Sequence, residues 1–323
     1  MQKNGADAFA VSNIIEAEEL RTAGITLPIL ILGYTPVELA DRLAKSNITQ
    51  CVFCKEYAVN LNRYATSFGV KLNVHIKLDT GMGRIGFDCR TDELKGLDDI
   101  KEVLKLPNLN AEGIFTHFAV ADSLNSDDTT FTKEQERRFQ KAVSILEQGG
   151  HTFKVRHCDN SAATLNMPSD NVDAVRAGII LYGLTPNADT PLPQEFKSAM
   201  SLYSVVSQVK TIDAEQTISY GRKFKADSRR KIATISAGYA DGVPRLLSNK
   251  GFVIIDGKRA PIVGTVCMDQ FCIDVTKIDN VKEGDIVTIF GNGIAIEDVA
   301  KNAQTINYEI ICGISKRVPI VYI

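Results

Sequence analysis

No apolar run in the 323 residues approaches the roughly 20 that a membrane-spanning helix needs. The N-terminus lacks the charged-then-apolar pattern of a secretory signal. No basic stripe or acidic tail is present and the formal charge is −2, which argues against nucleic acid as a partner. Internal repeats and low-complexity tracts are also missing. The seven cysteines, without a signal sequence, suit a reducing cytosol better than a disulfide framework, and a cytoplasmic location is expected. Cys51 and Cys54 form a single C-x-x-C inside the apolar run Gln50–Cys54. A zinc site wants a second pair, and the chain has none. Buried strand thiols are the better reading.

What remains is the composition of an ordinary globular protein, 44% hydrophobic and 24% charged. The length suits one large domain or two, with ample material for a core. Short apolar runs alternate with helical patterns through the first half. The runs are Asp7–Val11, Pro28–Gly33, Gln50–Cys54, Leu72–Lys77, Ala111–Phe118, Val155–Cys158 and Val175–Gly183. Between them lie helix-like segments at Ile14–Ala23, Val37–Lys45, Glu56–Ser67, Thr91–Leu106 and Thr132–Gln148, the last stopped by Gly149–Gly150. Strands alternating with helices predict parallel βαβ units with right-handed crossovers.

Seven such strands are one fewer than the eight of a closed (β/α)8 barrel. Met1–Asn4 reads as the tail of a helix that runs into the first strand. The expectation is therefore an α/β fold of the TIM-barrel type that lacks its first strand, with one βα unit upstream of Met1. Two open sheet edges would then favour aggregation.

Thr185–Pro193 (TPNADTPLP) has three prolines in nine residues and marks a domain boundary. The expected domains are 1–186, the barrel, and 187–323, a mainly β domain. Strands are expected in the latter at Leu202–Val209, Lys231–Ser236, Gly251–Ile255, Gly264–Met268, Phe271–Val275 and Asp285–Phe290. Asp256–Gly257 is a hairpin signal, and Ile296–Asn302 a short helix with acidic residues in its first turn.

Chemistry in a parallel barrel gathers at the C-terminal strand ends. Val155–Ser161 (VRHCDNS) brings His157, Asn160 and Ser161 to such an end. In Asp173–Pro186 (DAVRAGIILYGLTP) Arg176 stands just before a short apolar strand flanked by Gly178 and Gly183, and two neighbouring strands would place both sets of groups at the same mouth. A serine hydroxyl with glycine backbone N–H groups suits a phosphate. An arginine held by a histidine suits an aromatic nitrogen or an anion. The plainer alternative is a buried strand carrying a salt-bridged arginine. Lys77–Gly86 (KLDTGMGRIG) offers Arg84 for a carboxylate, or simply an ion pair among Lys77, Asp79 and Arg84. His117 ends the next strand. Tyr220, in Ile218–Gly221, could act as an acid or base, although most tyrosines only pack.

Nine blocks in order, GADAFAV, KLDTGMGRIG, EGIFTHFA, HCDNSAA, VRAGIILYGL, ISYGRKF, ISAGYADG, APIVGTVCMDQ and TINYEIICGISKRVP, resemble the alanine racemase family of fold-type III pyridoxal-phosphate enzymes. The resemblance covers essentially the whole chain. It implies a barrel followed by a β domain, a head-to-tail homodimer with shared sites, pyridoxal 5'-phosphate as cofactor, and interconversion of L- and D-alanine for peptidoglycan. It implies that Arg176 faces the cofactor's pyridine nitrogen, with His157 behind it. Asn160, Ser161, Gly178, Ile179 and Tyr308 would bind the cofactor, the last four its phosphate. Arg84 and the backbone of Met268 would take the substrate carboxylate, and Lys77 is the lysine the family carbamylates to orient Arg84. His117 would lie near the ring and Tyr239 in the entry channel. Tyr220 would remove the α-proton of L-alanine, reaching into the partner's barrel.

One family element is missing. The lysine that anchors the cofactor as a Schiff base sits in a V-K-A-N-A-Y-G-H-G type motif on the first barrel strand, and no such motif occurs here. The strand count and the missing motif agree, so impaired racemisation is expected of the chain as written. Two alternatives stay open: a serine racemase domain of the vancomycin-resistance type, and an inactive remnant that at most binds cofactor or a partner subunit.

Overall fold

A computed structural model describes residues 1–169, 171–187 and 190–323. The chain forms two compact units, one of Met1–Gly178 with Asp189–Pro191, the other of Ile179–Ala188 with Leu192–Ile323. Within the linker TPNADTPLP, Ala188 and Asp189 lie outside the described residues. No helix among the described residues is long and apolar enough to cross a membrane.

In the first unit, β1 (Phe9–Val11), β2 (Ile29–Ile31), β3 (Thr49–Val52), β4 (Leu72–Asp79), β6 (Leu109–Phe115) and β7 (Val155–His157) pair in that order. All these pairings are parallel. The two-residue β5 (Phe87–Asp88) joins the edge of β4. Helices α1 (Ile14–Thr22), α2 (Ala40–Lys45), α3 (Lys55–Phe68), α4 (Leu97–Val103) and α5 (Ser126–Gln148) fill the crossovers, and α6 (Ser161–Asn166) follows β7. This is a curved, half-barrel sheet of the TIM type. Its strands read as continuous apolar runs because both faces are covered, with Ile29, Ile31, Val74, Ile76, Leu78 and Ile114 all buried.

Local chemistry sets the helix starts. The Asn13 side chain accepts from the backbone N–H groups of Ile15 and Glu16, while Glu16 reaches back to the N–H of Ser12. Asn125 caps α5 in the same way, accepting from Asp128 N–H at 2.8 Å. That cap starts α5 six residues before the expected Thr132, through an exposed polar turn with no apolar period. Helix α4 is shorter than the expected Thr91–Leu106 because Leu94, at φ 47°, turns the chain just before it.

The expected strand Val175–Gly183 does not form. Asp173 and Arg176 donate their N–H groups to Arg156 and Asp159 beside β7, with one bridge from Ala174 to His157. Ile179–Tyr182 is then a 3-10 turn. Ile179 and Ile180 point inward and Leu181 and Tyr182 outward, a two-and-two pattern that suits a turn rather than a pleat.

In the second unit β11 (Arg230–Ile235), β14 (Phe271–Asp274), β13 (Lys258–Val263), β12 (Phe252–Ile255), β15 (Ile286–Phe290) and β8 (Leu202–Ile212) close an antiparallel barrel in that order. A two-stranded ribbon, β9 (Thr217–Ile218) with β10 (Phe224–Lys225), stands apart from it. Asp256 and Gly257 join β12 to β13 with φ of 48° and 69°, the double positive φ that this tight hairpin demands. The expected strand Gly264–Met268 is a loop. Gly264, at φ 79°, ends β13, and its N–H and that of Val266 go to the side chains of Asn249 and Ser248 instead of a ladder. Helix α7 (Ile296–Asn302) coincides with its expected range, and α8 (Asn307–Cys312) follows.

Candidate active site

The C-terminal ends of β4, β6 and β7 bring one polar cluster together. Arg176 is half-buried, and its guanidinium donates to His157 Nδ1 at 2.9 Å. It also donates to the carbonyls of Thr116 and Cys158, both at 2.8 Å, and to His117 Nδ1 at 3.2 Å. None of these acceptors is a carboxylate, so the salt-bridged alternative does not hold for Arg176. Burial lowers its pKa to about 10, which leaves it charged near neutrality. Five N–H donors are available to a guanidinium. Nε and one hydrogen of the terminal nitrogen facing His157 have no partner among the described residues.

The two histidines beside Arg176 are held neutral. Burial, then the Arg176 charge, brings His117 down to about 3 and pushes His157 well below its ordinary value. Lys77 is buried and lowered to about 7 by burial, then by Arg176. It makes no ion pair among the described residues, but its Nζ stands 4.7 Å from the centre of the Phe115 ring. The alternative of an ion pair among Lys77, Asp79 and Arg84 is not made among the described residues; Asp79 stands 3.9 Å from Arg90. Asp79 instead accepts from the backbone N–H groups of Gly81 and Gly83, which shapes the turn leading to an exposed Arg84.

Beyond β7, Asn160 caps α6 by accepting from Ala163 N–H, and the buried Ser161 hydroxyl accepts from Gly178 N–H at 2.8 Å. An N–H arriving at the Ser161 oxygen leaves the hydroxyl proton to be donated elsewhere. Cys51 is buried in β3, its thiol pushed up to about 12 by burial, whereas Cys54 is the half-buried N-cap of α3.

Ile179, Tyr220, Tyr239, Met268 and Tyr308 belong to the second unit. Ile179 is buried in the 3-10 turn. Tyr308 lies in the first turn of α8. Tyr220, Tyr239 and Met268 stand on three loops at the barrel that are bolted together. Thr265 Oγ1 donates to the carbonyl of Tyr220 at 2.9 Å, Tyr239 N–H to that of Cys267 at 3.0 Å, and Ala240 N–H to that of Met268 at 3.0 Å. Gly238 is required here, since a Cβ would lie 2.2 Å from the Met268 carbonyl oxygen. The side chains of the three are exposed, at 74%, 44% and 53%. Ser219, just before Tyr220, has φ 65° and ψ −178°, a region costly for any residue with a Cβ. Its hydroxyl donates to the Thr265 carbonyl at 2.6 Å.

Sequence reasoning missed three members of the first cluster. His75 accepts a hydrogen bond from His157, with Nδ1 2.9 Å from His157 Nε2. Phe115 stacks on His157. Gln135, fully buried on α5, contacts Thr80 and the His117 carbonyl and accepts from Ala119 N–H. His75 stands two residues before Lys77 on β4, hence on the same face. That spacing was the available signal.

Two family models match the chain: "Alanine racemase, N-terminal domain" over residues 1–186 and "Alanine racemase, C-terminal domain" over residues 199–322. An alanine racemase of Clostridium perfringens is 45% identical over 325 aligned residues, covering 99% of this chain and 83% of that one. One from Desulfovibrio desulfuricans is 43% identical, covering 99% and 84%. The crystal structure of alanine racemase from Bacillus anthracis with bound L-Ala-P superposes with a TM-score of 0.90 at 37% identity, covering 98% and 81%. That from a D-cycloserine-producing Streptomyces lavendulae gives 0.91 at 32% identity, covering 100% and 85%. The chain belongs to the alanine racemase family.

Proposed function

We propose that this chain binds pyridoxal 5'-phosphate at the Arg176 cluster and serves the interconversion of L- and D-alanine, the D-isomer supplying peptidoglycan. The observation that carries this reading is Arg176 itself, charged, fixed by four neutral acceptors, and with donors left for a ring nitrogen. Ser161, oriented by the Gly178 N–H and with a hydroxyl proton to give, suits the phosphate; Asn160 shapes the loop beneath. The cofactor, when bound, supplies the electron sink that makes the α-proton of alanine acidic. A permanent cation at Arg176 disfavours protonation of the ring nitrogen and so moderates that sink, which restrains side reactions.

The other residues bind or move protons. Arg84 takes the substrate carboxylate, for which its planar fork is suited. Lys77, near pH 7 partly a neutral amine, has the protonation state that carbamylation requires, and a carbamate there would orient Arg84. His117, a neutral imidazole beside Arg176, would lie near the ring. Tyr220 exchanges the α-proton and Tyr239 lines the approach. The exposure of Tyr220, Tyr239 and Met268 supports a homodimer in which each chain presents these loops to its partner's barrel.

The test is to load the purified chain with pyridoxal phosphate and follow α-hydrogen exchange of L-alanine in D2O, beside Tyr220→Phe. Saturable cofactor binding, with exchange lost in Tyr220→Phe, is the expected result. Exchange of L-serine in preference to L-alanine would correct the substrate, and binding of no pyridoxal phosphate would refute the proposal.

A further inference from the structure

The four histidines of the chain include a pair, His157 and His75, whose hydrogen-bond direction is fixed by a third residue. A guanidinium only donates, so His157 Nδ1 must accept from Arg176. A neutral imidazole carries one proton, which for His157 is then on Nε2. That proton points at His75 Nδ1, 2.9 Å away, so Nδ1 of His75 accepts and its own proton is on Nε2. Both rings are buried, and burial followed by Arg176 keeps both neutral, His75 at about 4. The His75 ring has no freedom to turn away. It lies on Gly113 of β6, so closely that a Cβ there would stand 2.4–2.5 Å from three ring atoms. A glycine on that strand thus makes room for the second histidine.

We propose that His75 is a positioning residue for Arg176: as an acceptor it locks His157 in the Nε2–H tautomer, the one that holds the guanidinium in place. Without an acceptor at His75, the Nδ1–H tautomer becomes accessible to His157. Its N–H would then face the guanidinium N–H, donor against donor, and Arg176 would lose its aim. The inference rests on Arg176 being the residue that meets the ring nitrogen of pyridoxal phosphate. The relay itself, from Arg176 to His157 to His75, is independent of that.

The test is nitrogen-15 NMR of the full chain labelled at histidine, without cofactor, followed by titration with pyridoxal phosphate. In the unsubstituted chain His157 should show an unprotonated Nδ1, a protonated Nε2, and a nitrogen–nitrogen coupling across the bond to His75 Nδ1. His75→Phe should move the His157 shifts toward a mixture of tautomers. It should weaken the cofactor about tenfold or more, as expected when a charged donor's acceptor is disordered. His75→Asn, whose Oδ1 is an acceptor, should restore both, and Gly113→Ala, which displaces the His75 ring, should resemble His75→Phe. A purely packing role for His75 would lower stability in all three variants and leave the tautomer unchanged. A protonated His157 Nδ1 or a missing coupling in the unsubstituted chain overturns the proposal, whether or not the variants fold. A shifted tautomer with unchanged cofactor affinity would leave the relay standing and remove Arg176 from the ring nitrogen.

Discussion

Phe115 lies flat against His157, their ring planes 7° apart and centroids 4.6 Å apart. The two are register partners on the parallel strands β6 and β7, so their side chains leave the sheet side by side. Lys77 stands over the same ring, and the Arg176 guanidinium carbon is 5.5 Å from its centre. One aromatic ring therefore backs the imidazole and faces both cations. Phe115→Ala should cost about 3–5 kcal/mol of unfolding free energy, the range for a buried phenylalanine. Urea unfolding of the two chains checks this, and a cost below about 1 kcal/mol would mean that the cluster does not depend on the ring.

The buried histidines set an acid limb to stability. His75 at about 4 and His117 at about 3 would both titrate near 6.5 in the unfolded chain. Between those limits the unfolded chain binds more protons, so stability falls as pH drops from about 6.5 toward 4. For His75 alone the loss is on the order of 3 kcal/mol. Lys77, at about 7, acts with the same sign higher up, so stability should rise as pH rises from about 7 toward 10.5. Urea midpoints across pH 4 to 7 should climb, and by less in His75→Asn; a flat profile would contradict the buried neutral pair.

At Ser219 the usual order of small residues should invert. Its φ of 65° costs about 1–3 kcal/mol for a residue with a Cβ, and the hydroxyl bond to Thr265 offsets part of that. Ser219→Ala loses the bond and keeps the strain, whereas Ser219→Gly loses both. The glycine variant should melt above the alanine variant, against the ordinary entropic penalty of glycine. Thermal unfolding compares them directly, and an alanine variant at or above the glycine one would show that the backbone there is relaxed.

Much of this was legible in the residues. The parallel strands announce themselves because sheets covered on both faces require unbroken apolar runs such as PILILG and QCVFC. Asp256–Gly257 gave its hairpin away through the φ values that only such residues adopt readily. The stretch after Arg176 was misread because Ile179, Ile180, Leu181 and Tyr182 are all apolar, and only burial separates the inward pair from the outward pair. The start of α5 was missed because its first turn is polar and exposed, without the period that marks a helix face. His157 and Ser161 were found at a strand end, where such chemistry gathers, and Arg176 just before the run misread as a strand. His75 was hidden within a strand, and Gly113, whose missing side chain admits it, carries no sign in the sequence that a ring will rest there. Tyr220 stood out only as a possible acid or base, and the roles of Tyr239 and Met268 came through resemblance, since nothing in the spacing of three separate loops foretells the hydrogen bonds that join them.

The most direct measurement is the equilibrium affinity of the full chain for pyridoxal phosphate, read from its visible absorbance, beside that of Arg176→Ala. The unsubstituted chain should bind saturably, and the variant at least tenfold more weakly, because a half-buried, hydrogen-bonded charge at a binding site is worth about 2 kcal/mol or more. Equal affinities, or no saturable binding by the unsubstituted chain, would contradict a cofactor site built on Arg176.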